Sequence, residues 1–307
     1  MIDYWIPQAT TAQKHPLYRL EMRRRRKEEP LEIAIKRNLM RVSILCGALV
    51  GFWLFICLNR AYQFYTREEK IPDTIFTAGD AVLVWLLIIG IGANLGLDFG
   101  AVLVSVEKIN QERTTGHWQL LSLTHFWQAE IIAIKHTVAQ TQVLPVALLI
   151  VGVRIAAVLM VFIRMVGGYL LIEGFPRLEM LPCLTLFFPL LLLLLYLAIR
   201  LAVAYCVEPL WRLRAVTAIG VAISARVQGA ALSLLAGLGA VALLWFCQGV
   251  VLVILEQIFV SSLNNNWSQF YGVFGCLGIP AVLGIYLYYN FLRVWGLRRA
   301  AQDAFRE

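Results

Sequence analysis

Five polar side chains stand inside apolar runs of this sequence: Asn94 and Asp98 in one, Arg154 in a second, and Gln248 and Glu256 in a third. Ionisable groups at such depth cost about 2.5–3.5 kcal/mol each to insert and are by default candidates for an ion or proton pathway. Arg154 needs an anion or water beside it, and Asp98 could supply the charge. Asp98 and Glu256 belong to different runs and do not form an acid–base pair. The histidines, His15, His117, His125 and His136, all fall in polar stretches. His117 and His125 are spaced to share a helix face, but Gly116 and Thr124 make one continuous helix there doubtful, so a zinc site is not expected. The phosphate-loop, HExxH and GxSxG patterns are absent. Six cysteines stand singly in or beside apolar runs, where they act as small apolar residues rather than as a disulfide or zinc framework. No catalytic residue, metal site or cofactor is therefore expected in the chain itself.

The elements that must position these residues are membrane spans. Of 307 residues, 60% are hydrophobic. A spanning helix needs roughly 20 apolar residues to cross about 30 Å of hydrocarbon, and six stretches qualify, near 42–58, 81–104, 139–163, 181–206, 229–258 and 270–292. The expected fold is all-α, a single integral membrane domain over 42–292, with segments 1–41 and 293–307 outside the membrane. With a cytosolic N-terminus, inner segments carry 21 Lys and Arg and outer loops five. That bias puts both termini in the cytosol, and the membrane expected is the plasma membrane. No cleavable leader is expected, because the first apolar run starts some forty residues in, behind heavy charge. The net charge of +8 is mostly a topology signal. The run "RRRRK" at 23–27 is better matched by anionic inner-leaflet lipid than by nucleic acid.

Ahead of that run, "PLYRLEMRRRRK" reads as a short amphipathic helix. Pro16 suits its first position, and Leu17 and Leu20 are expected on one side, against lipid. The stretch 207–228 is open between an inner-surface helix and a dip into the membrane after Glu208-Pro209. The helix is preferred, because Arg212, Arg214 and Arg226 call for water or headgroups. The apolar segment from 229 is long for one span, and a short re-entrant piece before "SSLNNNWSQ" would account for the excess.

Between the second and third runs lies "ERTTGHWQLLSLT", 112–124. Glycine accepts backbone conformations that other residues avoid, so Gly116 marks a break after a helix that outlasts the second span. "HWQLLSLT" can then make about two turns, with Trp118, Leu121 and Leu120 projecting together, and Thr124 is suited to cap the next helix. Such a fragment either rests on lipid or plugs a partner's groove, where a Trp and two Leu would supply the anchors.

The whole stretch "QERTTGHWQLLSLTHFWQAEIIAIK" resembles the signature loop of type-2 ABC transporter permeases. Glu112, Arg113, Gly116, Trp118, Leu120, Leu121, Leu123, Thr124, Glu130, Ile131 and Lys135 match that pattern. "HPLYRLEMRRR" is similar to the family's elbow helix, with Pro16 and Glu21 in register, and "AIGVAISARVQGAA" at 218–231 is similar to its stretch before span five. His117, Gln119 and His125 depart from it, standing where the family favours Thr, Glu and Pro. The resemblance implies six spans, an elbow helix that includes Pro16, Leu17, Leu20 and Glu21, and a cytosolic coupling helix between spans two and three. It also implies an ABC ATPase partner that binds ATP and magnesium, and pairing with another six-span permease as a homodimer or heterodimer. The activity expected is export driven by that partner. Two other readings stay open on the residues alone: a self-sufficient ion- or proton-coupled carrier using Asp98, Arg154 and Glu256, and a non-transporting membrane scaffold.

Overall fold

A computed structural model describes residues 15–24, 31–67, 74–123, 127–172, 181–265 and 267–304, with backbone alone at a number of positions, among them 22–24, 63–67, 74–80, 113–114, 119–120, 165–172, 181–194, 255–256 and the described part of 258–281. Its described residues are helical almost throughout, with no strand among them. In chain order the helices are α1 (Pro16–Arg24), α2 (Leu31–Arg67), α3 (Thr74–Thr114), α4 (His117–Ser122), α5 (Gln128–Ile172), α6 (Leu181–Arg226), α7 (Ala230–Asn265) and α8 (Trp267–Asp303). Helices suit such apolar sequence because they satisfy every backbone N–H and C=O within the segment, which hydrocarbon cannot do.

Four segments among the described residues are long and apolar enough to cross a membrane: Ile33–Asn59, Ala81–Glu112, Gln128–Arg164 and Ala230–Val251. Their large apolar side chains are widely exposed, as at Phe52, Phe55, Trp85, Phe162, Leu243 and Phe246. An apolar patch of this extent calls for lipid rather than water. The protein is an all-helical, membrane-embedded chain. The remaining expected spans, 181–206 and 270–292, lie within α6 and α8, and much of their length is described as backbone only.

Two sequence expectations need correction. Residues 207–226 are neither a separate surface helix nor a dip: they continue α6, which runs unbroken for 46 residues. At 1.5 Å per residue this is roughly 69 Å, about twice the hydrocarbon thickness. No re-entrant piece follows the fifth run, because α7 is one helix to Asn265. For the tail after 292, whose conformation the sequence left open, α8 continues to Asp303.

Two compact units divide the chain: one holds the first 35 residues with Leu95–Ala147 and Glu208–Glu307, the other Lys36–Asn94 with Leu148–Val207. The second unit has a core of Trp53, Leu83, Leu86, Ala156, Ala157 and Met160. The first has its own core and depends on small residues where helices cross. A Cβ on Gly220 would fall 1.9 Å from Ser105 Oγ and 2.9 Å from its Cβ, and one on Gly237 would fall 2.5 Å from Val102 Cγ1. Ser224 Oγ donates to the Val106 carbonyl at 2.6 Å, and Asn110 Nδ2 to Ser233 Oγ at 2.5 Å.

Gly220→Ala should therefore lower stability by about 1–3 kcal/mol through overpacking, read as a drop in the thermal midpoint of the detergent-solubilised chain. Gly92→Ala, with no atom within 4 Å of the added carbon, should leave the midpoint unchanged or raise it. Equal midpoints for the two variants would contradict this packing.

Candidate functional site

The polar loop of the sequence folds as a tight corner. Helix α3 ends at Thr114, and Thr115 folds back on it, its N–H donating to the Gln111 carbonyl at 3.1 Å and its hydroxyl at 2.9 Å. Gly116 follows at φ +72°, a left-handed conformation that glycine adopts without steric cost. Helix α4 then begins, with the exposed His117 ring nitrogen 3.2 Å from the Thr115 carbonyl.

Trp118 was expected to point outward; instead it is 6% exposed. It packs with Leu17, Tyr18, Ile131, Ala300 and Ala304, and Leu121 lies against the same cluster. Its indole Nε1 donates to the Ala304 carbonyl at 3.3 Å. The reason is local: α1 and the end of α8 supply a pocket within the chain for the largest apolar side chain of α4. Among the described apolar side chains of the corner, Leu123, 79% exposed, and Trp127, 81% exposed, face outward. The side chains of Arg113, Gln119 and Leu120, and residues Thr124 and His125, lie outside what the structure describes.

Beneath this corner Lys135 is held by two carboxylates, Glu21 of α1 and Glu112 of α3. The lysine side chain is 1% exposed and each glutamate 12%. A buried ammonium is tolerable only when paired and hydrogen-bonded. Fully ionised, the trio carries a formal charge of −1. Helix α1 is set for this contact by its N-terminus. Pro16 takes the first position, and the His15 ring accepts from the Leu17 N–H at 3.2 Å, which makes His15 the cap. His15 Nε2 also lies 3.5 Å from Glu130 Oε1. Leu17 and Tyr18 are buried while Leu20 is exposed, so Leu17 and Leu20 do not share one lipid-facing side as expected. Burial pushes the Tyr18 hydroxyl pKa up, and a hydrogen bond with Thr141 offsets part of that rise.

A second polar cluster, in the same unit, was not legible as a site. Arg212 of α6, expected at water or headgroups, has a side chain only 2% exposed, against 0% for Asp98. The guanidinium donates to Asp98 from Nε at 2.8 Å and from Nη2 at 2.6 Å. Nη1 donates to Gln248 Oε1 at 2.8 Å, with Glu208 Oε1 at 3.4 Å. Trp245 Nε1 donates to Asp98 at 2.9 Å, and its ring lies 4.4 Å from the guanidinium carbon. Gln248 Nε2 donates to the Tyr289 hydroxyl, which in turn donates to Glu208 at 2.7 Å. Helices α3, α6, α7 and α8 thus share one network. The available signals were the i, i+4 spacing of Glu208 and Arg212 and the i, i+3 spacing of Trp245 and Gln248.

Asp98 consequently pairs with Arg212, not with Arg154. Arg154 lies in the other unit, where it donates to the backbone carbonyls of Tyr205 and Gly90 and lies 4.4 Å from the Tyr205 ring centre. Asn94 is buried in that unit. The side chain of Glu256 lies outside the described residues. His136 is buried rather than loop-exposed, its Nε2 3.1 Å from the Arg214 carbonyl.

No protein-family model matches the chain, nor does any curated protein or solved structure.

Arg212→Ala should cost about 3–5 kcal/mol, because it leaves Asp98 buried without its cation. Arg200→Ala, at an exposed arginine bonded to Tyr196, should cost under about 1 kcal/mol. Asp98→Ala combined with Arg212→Ala should lose less than the sum of the two single losses. Denaturation midpoints of the four variants check this, and strict additivity would rule out the pairing.

Proposed function

We propose that this chain is the transmembrane subunit of an ABC exporter. It would work in the plasma membrane with both termini cytosolic, beside an ATPase subunit that binds and hydrolyses ATP. It would pair with a second six-span subunit around the export path. The observation that carries this reading is the Lys135 cluster. Glu21 belongs to the stretch that resembles the elbow, and Glu112 and Lys135 to the two ends of the stretch that resembles the signature loop. Each matched letter by letter, and the three side chains meet in one buried ion cluster.

The same geometry suggests how force would enter. Helix α4 is fastened through Trp118 to α1 and α8, and Lys135 joins α1 to α3 and α5. A partner pressing on the corner would therefore move a braced body rather than bend a loop, as rigid-body switching requires. The surface offered to it is His117, Leu123 and Trp127, all exposed, while Trp118 and Leu121 hold the corner from within. The carrier reading has less support. Asp98 is spent on Arg212 and Arg154 on backbone carbonyls, and each bond replaces the free charge that a relay would need.

Co-expression with an ABC ATPase subunit from the same genome tests the proposal. The wild-type chain should co-purify with that ATPase and change its ATP turnover. Leu123→Asp and Trp127→Asp should each cut recovery of the complex at least tenfold with the chain's own thermal midpoint kept. Trp118→Ala should instead lower that midpoint. A wild-type chain that neither binds the ATPase nor alters its turnover would sink the reading.

A further inference from the structure

Near the end of α8 the first unit has a half-open notch lined by Trp211, Arg214, Tyr286, Tyr289, Asn290 and Arg293. Its volume, about 10 Å³, admits one water-sized group, so a ligand would insert a single atom and keep its bulk at the mouth. Two arginines border this small space, and no carboxylate lines it. The Nε of Arg293 is buried with no hydrogen-bond partner, an unmet donor on a residue type that recognises oxyanions with its planar fork. The Tyr289 hydroxyl is committed to Glu208 and adds nothing to an incoming anion. Trp211 and Tyr286 meet edge to face, 5.3 Å between centres, and form a firm apolar wall. Around Arg293 the surface of α8 is a collar of exposed aromatics, Tyr286, Tyr288, Phe291 and Trp295. Exposed arginines, Arg298 and Arg299, follow one to two turns later. Aromatics giving way to cations along a helix mark the level of lipid headgroups.

We propose that this notch binds a phosphate oxyanion, with one oxygen seated on Arg293, as the headgroup of an anionic phospholipid. The site stands on membrane embedding alone and does not depend on an ATPase partner. Its floor residue Tyr289 belongs to the Arg212–Asp98 network, so occupancy would brace the crossing of α6, α7 and α8.

The test uses the full chain in neutral detergent, titrated with dioleoyl-phosphatidylglycerol, with dioleoylglycerol or with inorganic phosphate. Bound lipid is counted by native mass spectrometry and the thermal midpoint is followed in parallel. Phosphatidylglycerol should bind and raise the midpoint, and dioleoylglycerol should do neither. Inorganic phosphate producing the same rise, and displacing the lipid, would support the oxyanion site with free phosphate as its source. Arg293→Gln should weaken phosphatidylglycerol binding at least tenfold. Asn290→Asp, which sets a carboxylate in the notch with almost no change of shape, should do the same and covers the case in which Arg293→Gln does not fold. Replacing 23–27 by glutamines should leave this binding step in place. Wild-type binding in Asn290→Asp, loss of binding only on neutralising 23–27, or no preference for phosphatidylglycerol over dioleoylglycerol would each overturn the proposal.

Discussion

The pairing of Arg212 with Asp98 is the constraint around which the first unit is arranged. Asp98 lies in a segment apolar enough to cross a membrane, and its side chain is wholly buried. A lone carboxylate there would either take up a proton or draw in water. The guanidinium removes both needs, but only because its remaining donors and its face are also met, by Gln248, Glu208 and Trp245. Buried pairs stabilise little when their other lone pairs and protons are left over. Here nearly every donor of the arginine has an acceptor, and those acceptors sit on different helices. The network therefore fixes rotation and height of α3, α6, α7 and α8 against one another within the unit. Apolar contacts in lipid cannot do this alone, since lipid tails are as apolar as leucine.

The Lys135 cluster follows the same logic at the C-terminal end of α3. A short helix such as α1, nine residues long, is below the length at which helices are stable alone in water. It holds because Leu17 and Tyr18 are buried and Glu21 meets a cation. Helix α4, six residues long, owes its position to Trp118 in the same way. Neither helix stands on propensity, and each is kept by one large side chain and a few hydrogen bonds. This is why the corner can be a rigid element although it contains a glycine at positive φ.

Much of the helical framework was legible from runs of apolar residues, and the break at Gly116 from glycine's backbone freedom. Helix ends were less so. Glu208-Pro209 looks like a stop, yet α6 continues through it, since the surroundings of a helix can outweigh one unfavourable residue. Facing was the harder quantity. Trp118 reads equally well as an outward anchor or an inward one. The choice is made by Ala304, 186 residues away. Asp98 and Arg212 are 114 residues apart, and no local periodicity links them. Glu21, Glu112 and Lys135 each match a letter of the family resemblance, but charge and spacing do not reveal that the three meet, since Glu21 and Lys135 are 114 residues apart.

Arg154 shows how a residue that looks functional by depth can be explained by the backbone. Proline at 209 has no N–H to donate, so the carbonyl four residues earlier, that of Tyr205, loses its ordinary helical partner. In hydrocarbon an unmet carbonyl costs several kcal/mol. Arg154 donates to that carbonyl and its guanidinium lies over the Tyr205 ring. Gly90 gives both room, since a Cβ there would fall 3.1 Å from the tyrosine oxygen and 3.5 Å from Arg154 Cγ. A buried cation and a buried carbonyl, each costly alone, offset one another. Proline, arginine and glycine at these three positions thus form one structural solution, and Arg154 needs no transported ion to account for it.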